Sequence, residues 1–411
     1  MNLSEIDIFS PDIYVDGPPH DAFRVLRREA PVFFHKEPAD PRGYRPAGPG
    51  FWVLSKYDDV KMASRSPQLF SSWKGGTNIW DLPQPQLDQV RLMMLNMDPP
   101  KHRQFRAIVS KAFTPRMVRA LLPRVRQMAT KIVDGIARKG ECEFVSEVAA
   151  LLPMEVICEM MGIPEEDRAH INELSNKLVG FDDPEFQGGI EDAQAASAGM
   201  FMYASKLAER ARREPADDLA TALLHAEVDG ERLSDFEFNS FFLLLSIAGN
   251  ETTRTVTTNG MKALIEHPDQ RRLVVENPAL VESAVEEILR YTPAVHYFRR
   301  TVTEDTEIRG VKIREGEKIT MWYPSANRDE DVFRDPDTFD VRRSPNDHLA
   351  FGIGEHFCIG SNLARMELNV IFEELLKRVP DMELVGPVRR LRSNFVNGVK
   401  EMRVTFTPER E

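Results

Sequence analysis

Ten residues, Phe351-Gly352-Ile353-Gly354-Glu355-His356-Phe357-Cys358-Ile359-Gly360, set one cysteine in a loop with glycines before and after it. A helical pattern begins directly beyond Gly360. Glycine takes backbone angles that other residues resist and lets the chain approach a large flat ligand. A helix starting just after Cys358 aims its N-terminal N–H groups and positive dipole end at the sulfur, which favours a thiolate. Phe351 could screen that sulfur from water. The combination suits a metal-bound thiolate of tuned donor strength. Other readings compete with it. A lone cysteine can be a small buried hydrophobe. Gly352 and Gly354 spell G-x-G, but Phe357 stands where the dinucleotide fingerprint needs its third glycine. Zinc is disfavoured, because Cys142, Cys158 and Cys358 lie far apart and form no C-x-x-C.

Three further groups could do chemistry or hold it in place. Asn250-Glu251-Thr252-Thr253 interrupts an apolar run, Phe241 to Gly249. Polar groups midway through a buried helix must be satisfied or used. Thr252 could bond back to a carbonyl one turn earlier, and Glu251 could meet an arginine. In Asp98-Pro99-Pro100-Lys101-His102-Arg103-Gln104-Phe105-Arg106 the prolines set a helix start, with Asp98 as a candidate cap. His102 and Arg106 share a face of that helix and could hold carboxylates, or simply face solvent. Glu287 and Arg290 are three apart in a helix opened by Asn277-Pro278, a spacing also common in surface pairs.

The ten-residue loop resembles the haem-ligand loop of the cytochrome P-450 family, F-G-x-G-x-[HR]-x-C-x-G. D-P-P-x-H-x-x-x-R resembles that family's helix whose His and Arg bind haem propionates. Ala248-Gly249-x-Glu251-Thr252-Thr253 resembles its oxygen-activation motif. There the small Ala-Gly pair makes room for dioxygen, and the acid and the threonine deliver protons. E-x-x-R about 70 residues before the cysteine loop, with Phe339-Asp340-Val341-Arg342-Arg343, resembles its structural network, here Glu287, Arg290 and Arg343. Arg300 to Asp305 resembles R-x-x-x-x-D, whose Arg binds a propionate.

The resemblance implies a mainly α fold with a small β-rich part, a triangular prism with haem between a long central helix and the cysteine loop. It implies one domain over residues 1–411, with the β-rich part mainly at 30–60, 295–325 and 385–407. The cofactor would be heme b (iron protoporphyrin IX), with Cys358 on the iron. His102, Arg106, Ala248, Gly249, Arg300, Phe351, Gly352, His356 and Gly360 would complete its site. Glu251 and Thr252 would be catalytic. The reaction would be hydroxylation of an apolar small molecule, of terpene, steroid or branched-lipid type, with dioxygen. Trp80, Phe181, Ala294, Val295, Phe298, Phe395 and Val396 would line the pocket. No flavin or iron–sulfur motif is present, so an acidic ferredoxin and its reductase would supply two electrons. A peroxygenase or rearrangement enzyme, and a non-catalytic haem binder or sensor, are the alternatives. The Glu251-Thr252 pair favours oxygen activation, and no segment is left over for an output domain.

Composition sets outer limits. The 411 residues are 42% apolar, enough for a sizeable core, and 53 basic against 65 acidic side chains give a net charge of −12. That balance argues against a nucleic-acid binder and against adhesion to anionic membranes. Three cysteines point to a reducing compartment. Met1 to Phe9 lacks a basic start followed by an apolar run, and no window reaches about 18 uninterrupted apolar residues. The expectation is a soluble, cytoplasmic bacterial protein. One block departs from the acidic balance: Pro99 to Val133 contains no Asp or Glu. Arg103, Lys111 and Arg116 within it are a candidate docking site for the ferredoxin.

The elements that must position these groups can be read along the chain. A short helix is expected at His20–Glu29, then paired β runs at Pro31–Phe34 and Phe51–Leu54, then a helix from Asp58 to about Ser66. Residues 71–90 read as a long loop with exposed-looking Trp73, Ile79 and Trp80, a candidate lid. Helices follow within 145–178, then a loop from Leu178 to Gln187, then a helix from Glu191 to Arg213. Ser234-Asp235-Phe236-Glu237 is a capping box, opening a helix to about Glu266 that is apolar on nearly every side at its middle. Ala294 to Phe298 reads as a strand with Arg300 after it. Glu307 to Met321 reads as a hairpin with turns at Gly310 and Glu315-Gly316. The helix after Gly360 should end near Arg378, and Ser393 to Lys400 should be a loop between strands.

Overall fold

The computed structural model describes residues 1–39, 46–178, 183, 185 and 190–410. Two 3-10 turns, Leu3–Glu5 and Pro11–Asp16, precede α1 (His20–Glu29), and β1 (Val32–His35) and β2 (Phe51–Leu54) follow, which pair antiparallel. Then come α2 (Tyr57–Arg65), β3 (Phe70–Ser71), α3 (Gln84–Val90), α4 (Lys101–Ala112) and α5 (Pro115–Asp134). A short strand β4 (Glu141–Glu143) leads to α6 (Leu151–Met161), α7 (Glu165–Leu178), α8 (Ile190–Arg213) and α9 (Leu219–His225). The long α10 (Asp235–Glu266) precedes α11 (Pro268–Glu276) and α12 (Val281–Tyr291). The second β part holds β5 (Tyr297–Val302), β6 (Thr306–Ile308), β7 (Val311–Ile313) and β8 (Lys318–Trp322). After α13 (Tyr323–Ala326) and α14 (Ser361–Arg378) come β9 (Glu383–Leu384), β10 (Arg389–Arg390), β11 (Val399–Glu401) and β12 (Arg403–Thr405).

The main sheet has the order β1-β2-β8-β5-β3. β8 runs parallel to β2, with Trp52 opposite Ile319, and antiparallel to β5, with Arg300 opposite Ile319. Arg300 therefore lies inside β5. The expected strand at Ala294 starts too early for a physical reason. Backbone groups there pair with the C-terminal loop instead, His296 N–H to Phe395 O and Asn397 N–H to Ala294 O, each at 2.8 Å. An isolated β-bridge, Val295 to Val396, lies between these bonds. The Glu307–Met321 stretch likewise splits. β6 and β7 form the hairpin, and β8 joins the main sheet.

Ser234 caps α10 as its sequence predicts: its hydroxyl accepts from Glu237 N–H while the Glu237 carboxylate accepts from Ser234 N–H. α10 runs through the largest hydrophobic cluster, against α6, α8, α12 and α14. A buried centre of this kind explains why no polar stripe marks its middle. Two predicted caps do not form. Asp98 accepts instead from Ser71 Oγ and from the N–H groups of Ser72 at 2.7 Å and Trp73 at 3.3 Å, and so ties down the start of the 71–90 segment. Asn277 makes no side-chain cap, and a tight turn at Pro278–Leu280 precedes α12.

The 71–90 segment is less open than expected. Ile79 is fully buried with Tyr297 and Trp322, and Trp80 is half-buried, its ring 4.6 Å from that of Phe9. Trp73 lies under the Arg91 guanidinium at 5.2 Å. Arg299 explains the anchoring: its buried guanidinium donates to the carbonyls of Asn78, Ile79 and Trp80 and to Asp81 at 2.7 Å. Among the described residues no helix is long and apolar enough to cross a membrane.

Candidate functional site

The cysteine loop is shaped by backbone contacts. Gly354 has φ +77°, and a Cβ there would lie 2.7 Å from Ser64 O near the end of α2, so no side chain fits. Cys358 N–H donates to Phe351 O at 2.9 Å, closing the loop on itself. Gly360 caps α14, and its N–H reaches the sulfur. The sulfur is exposed. Dense protein around it still raises the thiol pKa by desolvation, while Gly360 N–H, then Arg106 and Arg365, pull it down. Phe351 is half-buried, with the Arg365 guanidinium 4.5 Å from its ring centre. Sequence reasoning missed Arg365. The signal was a cation seven residues beyond the cysteine, on the helix whose N-terminus faces it.

Beside the loop lies a cradle of donors. His102 is completely buried, and neither ring nitrogen has a hydrogen-bond partner among the described residues, Glu355 Oε2 standing 4.0 Å from Nδ1. Its ring is 4.2 Å from the ring of His356, whose Nε2 is 3.3 Å from Ser72 Oγ. Burial, then the Arg106 charge, pushes the His102 pKa down to about 4, although Glu355 opposes the shift. His356 falls well below its ordinary value through burial, then Arg300, His102 and Arg106. Arg300 is buried and donates to its neighbour's carbonyl, Arg299 O, at 2.8 Å. Arg106, half-buried, donates to Phe357 O at 2.6 Å. Buried donors without acceptors are costly. Carboxylates of a ligand would satisfy them, so these residues fit the propionates of haem, as the exposed Cys358 sulfur fits its iron.

On α10, Thr252 Oγ1 donates to Ala248 O at 2.6 Å, the back-bond expected from sequence. Glu251 is buried and meets Arg254 at 2.6 Å, again as expected. Burial raises the Glu251 pKa, and Arg254 moderates the rise. Ala248 is exposed and Thr252 half-buried in the middle of this core helix. Gly249 behaves differently from Ala248. A Cβ on it would stand 2.9 Å from Ile157 Cδ1, so its bareness serves the contact between α10 and α6.

The Cytochrome P-450 family profile matches residues 190–380. The chain is also 41% identical to a steroid C26-monooxygenase of Rhodococcus jostii (strain RHA1), over 98% of this chain and 86% of that protein. The chain belongs to the cytochrome P-450 family. A methyl-branched lipid omega-hydroxylase of Mycobacterium tuberculosis (strain ATCC 25618 / H37Rv) is 44% identical, covering 98% of this chain and 95% of its own. Among solved structures, a Mycobacterium marinum cytochrome P-450 in complex with pseudoionone superposes with a TM-score of 0.89 at 38% identity, covering 98% of each chain. The fold is that of the family, mostly helical with small sheets, and the protein is a cytochrome P-450 monooxygenase with heme as its cofactor.

In this P-450 the expected pocket residues fall into two groups. Phe298 and Phe395 have ring centres 5.7 Å apart, Val295 bridges to Val396, and Ala294 is buried beside them in sequence. Trp80 packs on Phe9 instead, and Phe181 lies outside the described residues. The predicted network assembles in full. Glu287 and Arg290, both wholly buried, make two bonds of 2.8 Å, and Arg343 Nε reaches Glu287 at 3.1 Å. On the basic block, Arg103 Nε bonds Glu355 at 2.9 Å and Lys111 bonds Glu227 O at 2.6 Å, while Arg116 is exposed.

Proposed function

We propose that this P-450 hydroxylates an apolar small molecule of terpene, steroid or branched-lipid type, using dioxygen and two electrons from an acidic ferredoxin and its reductase. The observations that carry the reading are an exposed Cys358 and a core helix on which Ala248 is exposed and Thr252 half-buried. The relatives' activities, on steroids and methyl-branched lipids, support the substrate class, as does the pseudoionone held by the superposed structure. We read residues 1–411 as one domain working in the cytoplasm of a bacterium.

Each residue has a defined part in this reading. Cys358 would hold the haem iron and donate electron density to it, and the group would supply the activation of dioxygen. Gly360 N–H moderates that donation. Gly352 turns the loop and Phe351 shields the sulfur. His102, Arg106, Arg300 and His356 hold the propionates, offsetting charges that are costly to bury. Ala248 keeps the oxygen side of α10 open, and Gly249 sets its seating on α6. Glu251, whose pKa burial raises, and Thr252 Oγ1 deliver protons to that side. Val295, Phe298, Phe395 and Val396 with Ala294 orient the substrate. The ferredoxin docks near Arg103, Lys111 and Arg116.

The reduced carbon monoxide complex tests the haem-thiolate reading, since a Soret band without the thiolate red shift would falsify it. Substrate-induced spin-state change, screened across terpenes, steroids and branched lipids, tests the class; silence from all three overturns it. For the donor, Arg116→Glu should raise the KM for an acidic ferredoxin several-fold and flatten its salt dependence. Arg103→Glu should do less, because Glu355 already offsets that charge. No change in either variant would remove the docking proposal.

A further inference from the structure

Glu286 precedes Glu287 on α12 and projects about 100° away from it. Its carboxylate takes the Arg365 guanidinium at two points, Nε at 2.6 Å and Nη2 at 2.9 Å. It also lies 3.1 Å from His348 Nε2. Ala350 N–H donates to His348 Nδ1 at 3.2 Å, which ties the ring to the start of the cysteine loop. Arg365 is the cation that meets this carboxylate at both of its oxygens. Burial works to raise the Glu286 pKa, but His348 and Arg365 overcome it and bring it to about 2.

One carboxylate therefore joins three places: helix α12, the approach to the cysteine loop at His348, and helix α14 beyond it. The Arg365 guanidinium ends 4.5 Å from the ring centre of Phe351, whose carbonyl accepts Cys358 N–H. A bidentate, planar bond of this kind fixes a guanidinium far better than a single contact. We propose that Glu286 and Arg365 are a positioning pair for the haem thiolate: Glu286 fixes the guanidinium against Phe351, and the fixed positive charge raises the reduction potential of the haem held by Cys358. This rests on the reading of Cys358 as the iron ligand.

The test is potentiometric titration of the haem-loaded protein and its variants. Arg365→Gln should move the potential to more negative values, lowering the ferrous-to-ferric ratio at fixed potential about fivefold, or about 40 mV at 59 mV per tenfold. Arg365→Lys keeps the charge and should stay within about twofold of wild type. Glu286→Gln keeps the shape and one acceptor oxygen, so the guanidinium stays in place while its counter-charge is lost, and the potential should shift the opposite way. The double variant Glu286→Gln/Arg365→Gln should return close to wild type. Packing alone predicts shifts of one sign, so a negative shift for Glu286→Gln, or equal shifts for Arg365→Gln and Arg365→Lys, would overturn the proposal. If Arg365→Gln does not fold, a positive shift in Glu286→Gln supports it and any other result overturns it. The wild-type carbon monoxide complex separates the two layers. A missing thiolate shift sinks the Cys358 reading, whereas a normal spectrum with unmoved potentials sinks only the pair.

Discussion

The rings of His102 on α4 and His356 in the cysteine loop stand 4.2 Å apart, centre to centre. Two imidazoles so close, both with lowered pKa values, cannot both be charged without an anion beside them.

That contact makes acid stability depend on haem. The His102 pKa is about 4 in the fold against 6.5 outside it, through burial first and Arg106 second. A depressed histidine binds fewer protons folded than unfolded, so its stabilisation is complete above pH 6.5 and drains away as pH falls towards 4. His102 alone would account for on the order of 3 kcal/mol at the acid end. A propionate beside the ring lets it charge and removes the penalty. The melting temperature of haem-free protein should therefore drop faster between pH 6.5 and 4 than that of the loaded form. His20 and His296, also lowered by burial, act in both forms and cancel in the comparison. Parallel curves would count against His102 as a propionate partner.

Thr252→Ala removes a hydroxyl that donates at 2.6 Å to Ala248 O. The fold should lose about 1 kcal/mol or less. Product formed per electron pair should fall several-fold, with the balance appearing as peroxide, while Thr252→Ser keeps most of the coupling. Product and peroxide yields measured together decide it. Unchanged coupling in the alanine variant would exclude proton delivery by this residue.

Glu287→Ala leaves Arg290 and Arg343 without the carboxylate between them. Breaking a buried pair of this kind costs about 3–5 kcal/mol. Denaturant unfolding should show a loss of that size, and Arg343→Lys a smaller one. Arg290 also donates to Asn327 O, Pro336 O and Thr338 O. A loss below about 1 kcal/mol would mean those carbonyls suffice.

Gly249→Ala brings a Cβ to 2.9 Å from Ile157 Cδ1. Overpacking of this sort costs about 1–3 kcal/mol, and alanine's better helix propensity returns up to about 1. Ile157→Val should relieve the clash, so thermal unfolding of the double variant should show a favourable coupling. Independent, additive effects would mean that Gly249 is kept small for the oxygen side and not for helix packing.

Local rules explain what could be read from sequence. The Ser234 box, the glycines of the cysteine loop and the proline-set start of α4 each specify their own backbone within a few residues. The Thr252 back-bond and the Glu251–Arg254 pair are contacts within one turn, so they too were legible. Asp98 was misread because its partners, Ser71 to Trp73, come from an earlier loop. Ile79 looked exposed in a Gly- and Pro-rich segment, yet Arg299 from β5 gathers that segment's carbonyls and buries it. β5 begins late because Ala294 and His296 pair with Asn397 and Phe395. Arg365 was silent because its meaning lies in Glu286, on another helix. Side-chain grips across long sequence distances leave no periodic trace.

The sheet order β1-β2-β8-β5-β3 also sets a timetable for the growing chain. β2 gains its second neighbour only when residues Lys318–Trp322 have been made. Until then the first hairpin carries an open strand edge, the surface on which unfinished chains stick to one another. Pairings between such distant segments also form slowly. Cys358 emerges later still, so haem capture is a closing event that cannot guide the early steps. A ribosomal pause before residue 318 would lengthen the exposed interval, and one after it would not.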